Sequence, residues 1–199
     1  MTAIRPQGQV YRPELIYKIS QRYSFAKHPQ DYEAASLNFL IGKFENVEIG
    51  ALQIYNDGII VESKADTNLI DNFIDDFAAW CASEFDIVSS AISRNQKFYE
   101  STLIVQSDVA LETAFAPKSS VSATIDKFFS QSHIEGVYKN TGFILNHDTS
   151  EKGPGTTSRS HIIERRIHTS FEQNVYYSIS PLRTSEHIKF LSSLEKILA

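Results

Sequence analysis

The chain has 199 residues, a formal net charge of −5 and 42% hydrophobic residues, an ordinary composition for one large globular domain or two small ones. The negative net charge argues against a general nucleic-acid binder, because such proteins gain much of their affinity by neutralising phosphates. A single cysteine cannot form an internal disulfide, and the sequence contains neither the apolar core of a signal peptide nor an apolar run long enough to span a membrane. We therefore expect a cytoplasmic protein with no membrane segment.

The first half of the sequence predicts a helix followed by three strands. Pro13 suits the first turn of a helix, because its missing N–H costs nothing there. Residues 39–44 alternate as a strand, with Ile41 placed on the same face as Phe39. Residues 47–64 then predict a hairpin, because its Asn-Asp-Gly turn tolerates the positive φ of a primed turn. Apolar side chains on both faces of the first hairpin strand indicate an interior strand rather than an edge.

A second helix follows the hairpin and has the clearest core pattern. It begins at Asn68, a suitable N-cap, and reaches Phe85. Its apolar stripe has helical spacing and comprises Ile70, Phe73, Ile74, Phe77 and Cys81. We expect this stripe to form the main hydrophobic core.

The second half predicts a similar series of elements. They begin with a strand over 98–106 and a helix that begins at Ser119 or Ser120. Strands over 136–146 and 162–171 follow, and then a strand on which Val175, Tyr177 and Ile179 alternate. The final helix is capped by Thr184 or Ser185, and its apolar stripe comprises Ile188, Leu191, Leu194 and Leu198. We predict an α+β fold with mostly antiparallel sheet and packed helices, the apolar faces of both halves lying on one shared sheet. It is either a single domain over 1–199 or two fused half-domains, 1–90 and 95–199, that repeat the order α-βββ-α.

The basic residues are concentrated on and around strand 162–171. They are Arg159, His161, Arg165, Arg166 and His168. Arg165 falls between inward-facing Ile163 and Ile167, which predicts a buried acidic partner or, as the alternative, a phosphate or carboxylate ligand. If His147 joined Arg159, Arg165, Arg166 and His168 in a cleft, the group would bind a phosphorylated or acidic small molecule.

Other chemical patterns are weaker. His147 and His168 each begin a His-x-Thr/Ser pattern of the kind in which histidines act as general acid and base, but the pattern is short and recurs by chance. Asp57 lies ~16 Å along the strand from Glu62, too far for both carboxylates to share a metal. The glycines at 153 and 155 lead into a strand rather than a helix N-terminus, which disfavours a phosphate-binding loop. We expect neither a metal nor a cofactor.

Asp71, Asp75 and Asp76 form an acidic face on the second helix, which is either merely solvated or meets a basic protein partner. Since no nucleophile–base set is evident, the sequence favours a non-catalytic intracellular binding or assembly protein that acts as an oligomer or as a subunit of a complex. These three aspartates are its candidate partner-binding residues. The alternative is an enzyme or binder that uses the 147–168 cluster, so enzymatic activity stays an open question.

Overall fold

The computed structural model describes residues 12–56, 58–85, 97–115, 139–146 and 159–199. The elements in these ranges are α1 (Arg12–Arg22), β1 (Leu37–Phe44), β2 (Val47–Tyr55), β3 (Gly58–Glu62), α2 (Thr67–Phe85), β4 (Ser101–Gln106), β5 (Gly142–Asn146), β6 (Ser160–Arg165), β7 (Val175–Ser180) and α3 (Thr184–Leu198), with short 3-10 helices at Leu111–Phe115 and Phe171–Gln173.

The described strands form two antiparallel sheets, in the orders β1-β2-β3 and β4-β7-β6-β5. The α+β prediction is confirmed, whereas the prediction of one shared sheet is wrong. The chain divides into two compact units, residues 1–98 and 99–199. The helix predicted to begin at Ser119 or Ser120 lies outside the described residues, so the repeated α-βββ-α order stays a prediction.

The core of the first unit lies between α1, α2 and one face of the three-stranded sheet. Its buried members are Ile16, Ile19, Tyr23, Phe25, Leu37, Phe39, Ile49, Leu52, Ile59, Phe73, Phe77 and Cys81. β2 is the central strand, as its apolar residues predicted. The ring of Phe73 lies 5.0 Å from that of Tyr23 and 5.6 Å from that of Phe44, so α2 is held mainly by aromatic packing.

The N-terminus of α2 is capped by Asp66 rather than by Asn68. The carboxylate of Asp66 accepts a hydrogen bond from the Asn68 N–H at 2.8 Å, and its carbonyl accepts one from the Leu69 N–H at 3.0 Å. A carboxylate at this position is also favoured by the helix dipole. Asn68 was a plausible cap by residue type, but the helix already includes Thr67.

β1 changes the face that it presents to the core at Ile41. Leu37 and Phe39 are buried before this point and Gly42 after it, while Ile41 has a φ of 57° and is 52% exposed. The predicted position of Ile41 on the face of Phe39 is therefore wrong. Gly42 is required here because a Cβ atom would lie 2.3 Å from Cε1 of Phe25. The φ of 57° at Ile41 is strained, because β-branched residues rarely adopt the left-handed region.

The four-stranded sheet of the second unit buries one of its faces, which we call the inner face. α3 and the 3-10 helix Leu111–Phe115 contribute to the cluster that covers it, whose buried members are Leu111, Ile163, Tyr176, Leu191 and Leu194. The predicted position of Ile188 on the apolar stripe of α3 is wrong, because this side chain is 50% exposed and His187 takes the buried position beside it. On β7 the inner residues are Tyr176, Ser178 and Ser180 rather than the more apolar set of Val175, Tyr177 and Ile179. The polar groups of Tyr176 and Ser178 are satisfied by buried hydrogen-bond partners, which makes this burial possible.

β6 ends at Arg165, six residues before the predicted end of the strand at Phe171. Its partner β7 begins at Val175, and the last bond of the ladder runs from the Arg166 N–H to the Val175 carbonyl at 2.8 Å. The chain between them has to reverse, so Ile167 is 77% exposed and His168 adopts a φ of 66°.

Among the helices of the described residues, none is long and apolar enough to cross a bilayer.

Candidate functional site

The basic residues around β6 occupy two separate places. Arg159 precedes the strand, whereas Arg165 ends it and Arg166 and His168 lie in the following turn. The six residues of β6 place these groups roughly 20 Å apart, since a strand rises by about 3.3 Å per residue. His147 lies outside the described residues. The described members of the predicted cluster therefore do not meet in one cleft.

Arg165 is bound to a buried acid, the option that the sequence favoured. Its Nη2 lies 2.6 Å and its Nε 2.8 Å from Oε1 of Glu112, and the two side chains are only 8% and 9% exposed. The same guanidinium donates to the Phe171 carbonyl at 2.7 Å and to Oδ1 of Asn174 at 3.0 Å. Arg165 thereby ties the 3-10 helix of Glu112 to the turn between β6 and β7.

Tyr176 completes this buried network from β7. Its hydroxyl donates to Glu112 Oε2 and accepts from the Leu111 N–H at 2.9 Å. Burial, and secondly the hydrogen bond to the Glu112 carboxylate, raise the pKa of Tyr176 to about 12. The phenol is therefore a neutral donor at physiological pH, and the network reads as a structural tie rather than as a reactive centre.

An open groove lies at the opposite end of β6. It has a volume of about 380 Å³ and is lined by Leu145, Asn146, Arg159, His161 and Pro181. Asn146 accepts a hydrogen bond from Ser160 at 2.5 Å. Guanidinium, amide and imidazole groups around one groove suit a carboxylate or a phosphate. Arg159 is thus the predicted ligand-binding residue that the structure places beside a cavity.

His187 is the most deeply buried polar side chain of α3 and was not singled out by sequence reasoning. It is 0% exposed, with Nδ1 2.8 Å from Ser101 Oγ and Nε2 2.8 Å from Ser178 Oγ. Burial lowers the pKa of His187 to about 4, and the nearby His161 adds to this effect. The available signal was its spacing of four and seven residues from Leu191 and Leu194, which places it on the apolar stripe.

The second face of the four-stranded sheet, which we call the outer face, is exposed and largely apolar. Its large apolar side chains are those of Ile104, Ile144, Ile162, Tyr177 and Ile179, and the polar residues Thr102 and Glu164 lie on the same face. Ile144, Ile162 and Ile179 lie opposite one another on three successive strands, and Ile104 lies opposite Tyr177. Ile104 is 58%, Ile144 55% and Tyr177 38% exposed. Patches of a few hundred Å² of this kind often mark interaction sites.

The acidic face of α2 is paired with basic groups of the same unit. Asp76 lies 2.9 Å from Nη2 of Arg22 and accepts a hydrogen bond from the Tyr23 hydroxyl at 2.7 Å. Lys97 reaches Asp71 at 3.1 Å and Asp75 at 2.8 Å. These contacts balance part of the negative charge. A role for the three aspartates in binding a partner stays a prediction.

Cys81 and the described carboxylates and imidazoles do not assemble a recognisable reaction centre. Burial raises the pKa of the Cys81 thiol to about 12, so it is not a thiolate nucleophile at neutral pH. Within the described ranges, no three His, Cys, Asp or Glu side chains are grouped as a metal site would require.

Comparison with protein-family models, with curated proteins and with solved structures found no match to this chain.

Proposed function

We propose that this chain is a non-catalytic intracellular binding or assembly protein, and that the outer face of its second unit holds an amphipathic helix of a partner protein. The observation that carries the proposal is the set of exposed apolar side chains on β4, β5 and β7, with the half-buried Ile162 of β6 between them. Leaving Ile104 and Ile144 in water has no benefit for the stability of the isolated fold, because their burial would be favourable by ~25 cal/mol per Å².

The size of the outer face favours a helix over a second copy of the chain. Four strands about 4.8 Å apart and five or six residues long cover about 350 Å². A stable interface between two folded proteins needs about 800 Å² on each partner, so this face alone would not hold a dimer. A helix is about 10 Å wide, and its stripe residues are spaced by about 5–6 Å, which matches the spacing of neighbouring strands.

Charged residues at one end of the outer face would orient such a helix. Glu164 is paired with Tyr177 in the ladder, and Arg166 lies directly after the end of β6. Both side chains are exposed. We expect the partner helix to carry a charged residue of either sign beside its apolar stripe at this end, since rim charges select partners more than they add affinity.

The test is photo-crosslinking from the outer face in the native source. A benzophenone amino acid replaces Thr102, which is exposed on this face. It is compared with the same group at Ile197, which is 79% exposed on α3. We expect the benzophenone group at position 102 to crosslink to a helical segment of another protein. The double change Ile104→Lys and Ile144→Lys should remove at least nine-tenths of that crosslinked product. Crosslinks between two copies of the chain, or yields no higher than at Ile197, would contradict the proposal.

A second candidate, a binder of a phosphorylated or acidic small molecule, is favoured by the groove beside Arg159. If this candidate is correct, inorganic phosphate should shift the NMR signals of His161 and Asn146 in a saturable manner. Arg159→Gln should weaken phosphate binding at least tenfold, because one charge-assisted hydrogen bond contributes about 1.5–3 kcal/mol. Arg166→Gln, which changes an exposed arginine outside the groove, should leave the binding unchanged. An unsaturable response, or equal effects of the two changes, would refute this candidate.

A further inference from the structure

His187 holds α3 against the sheet in an electrically neutral form. Ser178 Oγ donates its proton to the Ile162 carbonyl at 3.0 Å, so toward His187 this oxygen acts as an acceptor from Nε2–H. Nδ1 then carries the lone pair and accepts from the hydroxyl of Ser101. The neutral imidazole thereby bridges β4 and β7 with both of its nitrogens satisfied.

His161 is a second imidazole on the same inner face, one strand away. Its ring lies 4.9 Å from the ring of Phe190 on α3. Its Nδ1 is buried and has no hydrogen-bond partner among the residues that the structure describes. Burial lowers the pKa of His161, and the proximity of the two rings means that charging one opposes charging the other.

In the described part of the chain, no carboxylate is among the groups that shift the pKa of either imidazole, and a backbone hydrogen bond at Ser101 raises the pKa of His187 by less than burial lowers it. β4 and β7 present the hydroxyls of Ser101, Ser178 and Ser180. Leu145 lies opposite His161 on β5, and Arg159 lines the neighbouring groove. Arg183, which caps the N-terminus of α3, donates to the Tyr99 hydroxyl at 2.7 Å, and Glu186 in the first turn of α3 is exposed to solvent.

We propose that His161 and His187 form an acid-sensitive latch, which holds α3 on the inner face at neutral pH and releases it as the pH falls toward 5. Protonation removes the acceptor that Ser101 uses and places a charge between α3 and the sheet, where none of the described carboxylates lowers its cost. Release of α3 exposes the imidazoles to water, where the imidazolium is well solvated. The latch does not depend on what the outer face binds.

The direction of the pH dependence follows from proton linkage. A solvated histidine has a pKa of about 6.5, whereas that of His187 in the closed state is about 4. The open state therefore binds more protons between these values. The stabilisation of the closed state is fully present above pH 6.5 and is lost as the pH falls through this window. At pH 5 this linkage amounts to an increase of about 30-fold in the opening equilibrium relative to pH 7.5.

Hydrogen exchange of the whole chain tests the latch. With rates corrected for the intrinsic pH dependence of exchange, the amides of α3 should open about 30-fold more readily at pH 5 than at pH 7.5, and those of α2 should serve as an internal reference. Glu195 of α3 accepts hydrogen bonds from Ser107 Oγ and from the Asp108 N–H. These bonds lower the pKa of Glu195, so we expect them to be retained at pH 5. An increase of less than threefold would overturn the proposal.

Variants separate the latch from general acid sensitivity. His187→Gln keeps one donor and one acceptor but does not titrate, so its α3 should lose most of the acid-induced opening and keep only the part that His161 contributes. His168→Asn changes an exposed histidine of the same unit at a positive φ that asparagine tolerates, and should behave as the original protein does. If His187→Gln does not fold, His161→Phe keeps the contact with Phe190 and should reduce the acid response. Full acid-induced opening in either latch variant would refute the proposal.

Discussion

Replacement of Glu112 by alanine is expected to lower the free energy of unfolding of the second unit by about 3–5 kcal/mol. The change leaves the guanidinium of Arg165 without its carboxylate at a position where the arginine side chain is only 8% exposed. It also removes the acceptor of the Tyr176 hydroxyl. The buried charge of Arg165 then has no carboxylate to balance it, and the buried Tyr176 hydroxyl has no acceptor. The free-energy cost of leaving these groups unpaired is larger than the stabilisation that the intact pair contributes. Urea titration followed by circular dichroism measures the loss.

The matched control removes both charges together. A Glu112→Leu and Arg165→Met double variant has no unpaired charge, so we expect it to be more stable than either single variant and to lie within about 2 kcal/mol of the original protein. An exposed glutamate of the same unit, Glu164, provides a second comparison, and its change to alanine should cost less than about 0.5 kcal/mol. A Glu112→Ala loss no larger than that of Glu164→Ala would show that the network is not a stabilising tie.

Replacement of Phe73 by alanine is expected to cost about 3–5 kcal/mol in the first unit. Phe73 is 0% exposed, and its ring lies among those of Tyr23, Phe44 and Phe77. Removal of the ring leaves a cavity that these rigid neighbours fill only in part. Trp80 is the single tryptophan of the chain and belongs to the same cluster, so its fluorescence in a urea titration reports the change directly.

Leu69 is the matched control for Phe73 because it lies on the same helix and is 42% exposed. Its change to alanine should cost less than about 1 kcal/mol, since less of its apolar surface is buried and alanine is the better helix former. Similar losses for the two variants would mean that the aromatic cluster is not the main source of stability in this unit.

Periodicity located most of the elements that the structure describes. The hairpin of β2 and β3, the stripe of α2 and the final helix were all evident, because alternation and helical spacing are local consequences of which side faces the core. The same reasoning misplaced Ile41, the end of β6 and Ile188, which was expected on the apolar stripe of the final helix but is 50% exposed. Ile41 breaks the alternation through a left-handed backbone, and β6 stops at Arg165 because its partner strand ends there. Neither cause is visible in a local pattern of apolar residues.

The candidate sites were less predictable than the fold. The oddness of Arg165 among apolar neighbours pointed to a buried acid, but its identity as Glu112, 53 positions away in the chain, required the tertiary structure. The hydrogen bonds of His187 could not be predicted from its helix alone, because its partners Ser101 and Ser178 lie on two different strands. The outer face also depends on strand order, since alternation divides a strand into two faces without showing which of them will be covered.

The amino-acid sequence by itself determined the α+β class, the apolar stripe of α2 and the polar or apolar character of each strand face, because these follow from interactions between residues close in the chain. Only the tertiary structure decided that the strands form two sheets, that Arg159 and Arg165 lie at opposite ends of β6, and that Ile104 and Ile144 share an exposed surface. These outcomes depend on strand register and on pairings between distant residues, and the free energy of such pairings cannot be read from a local sequence pattern.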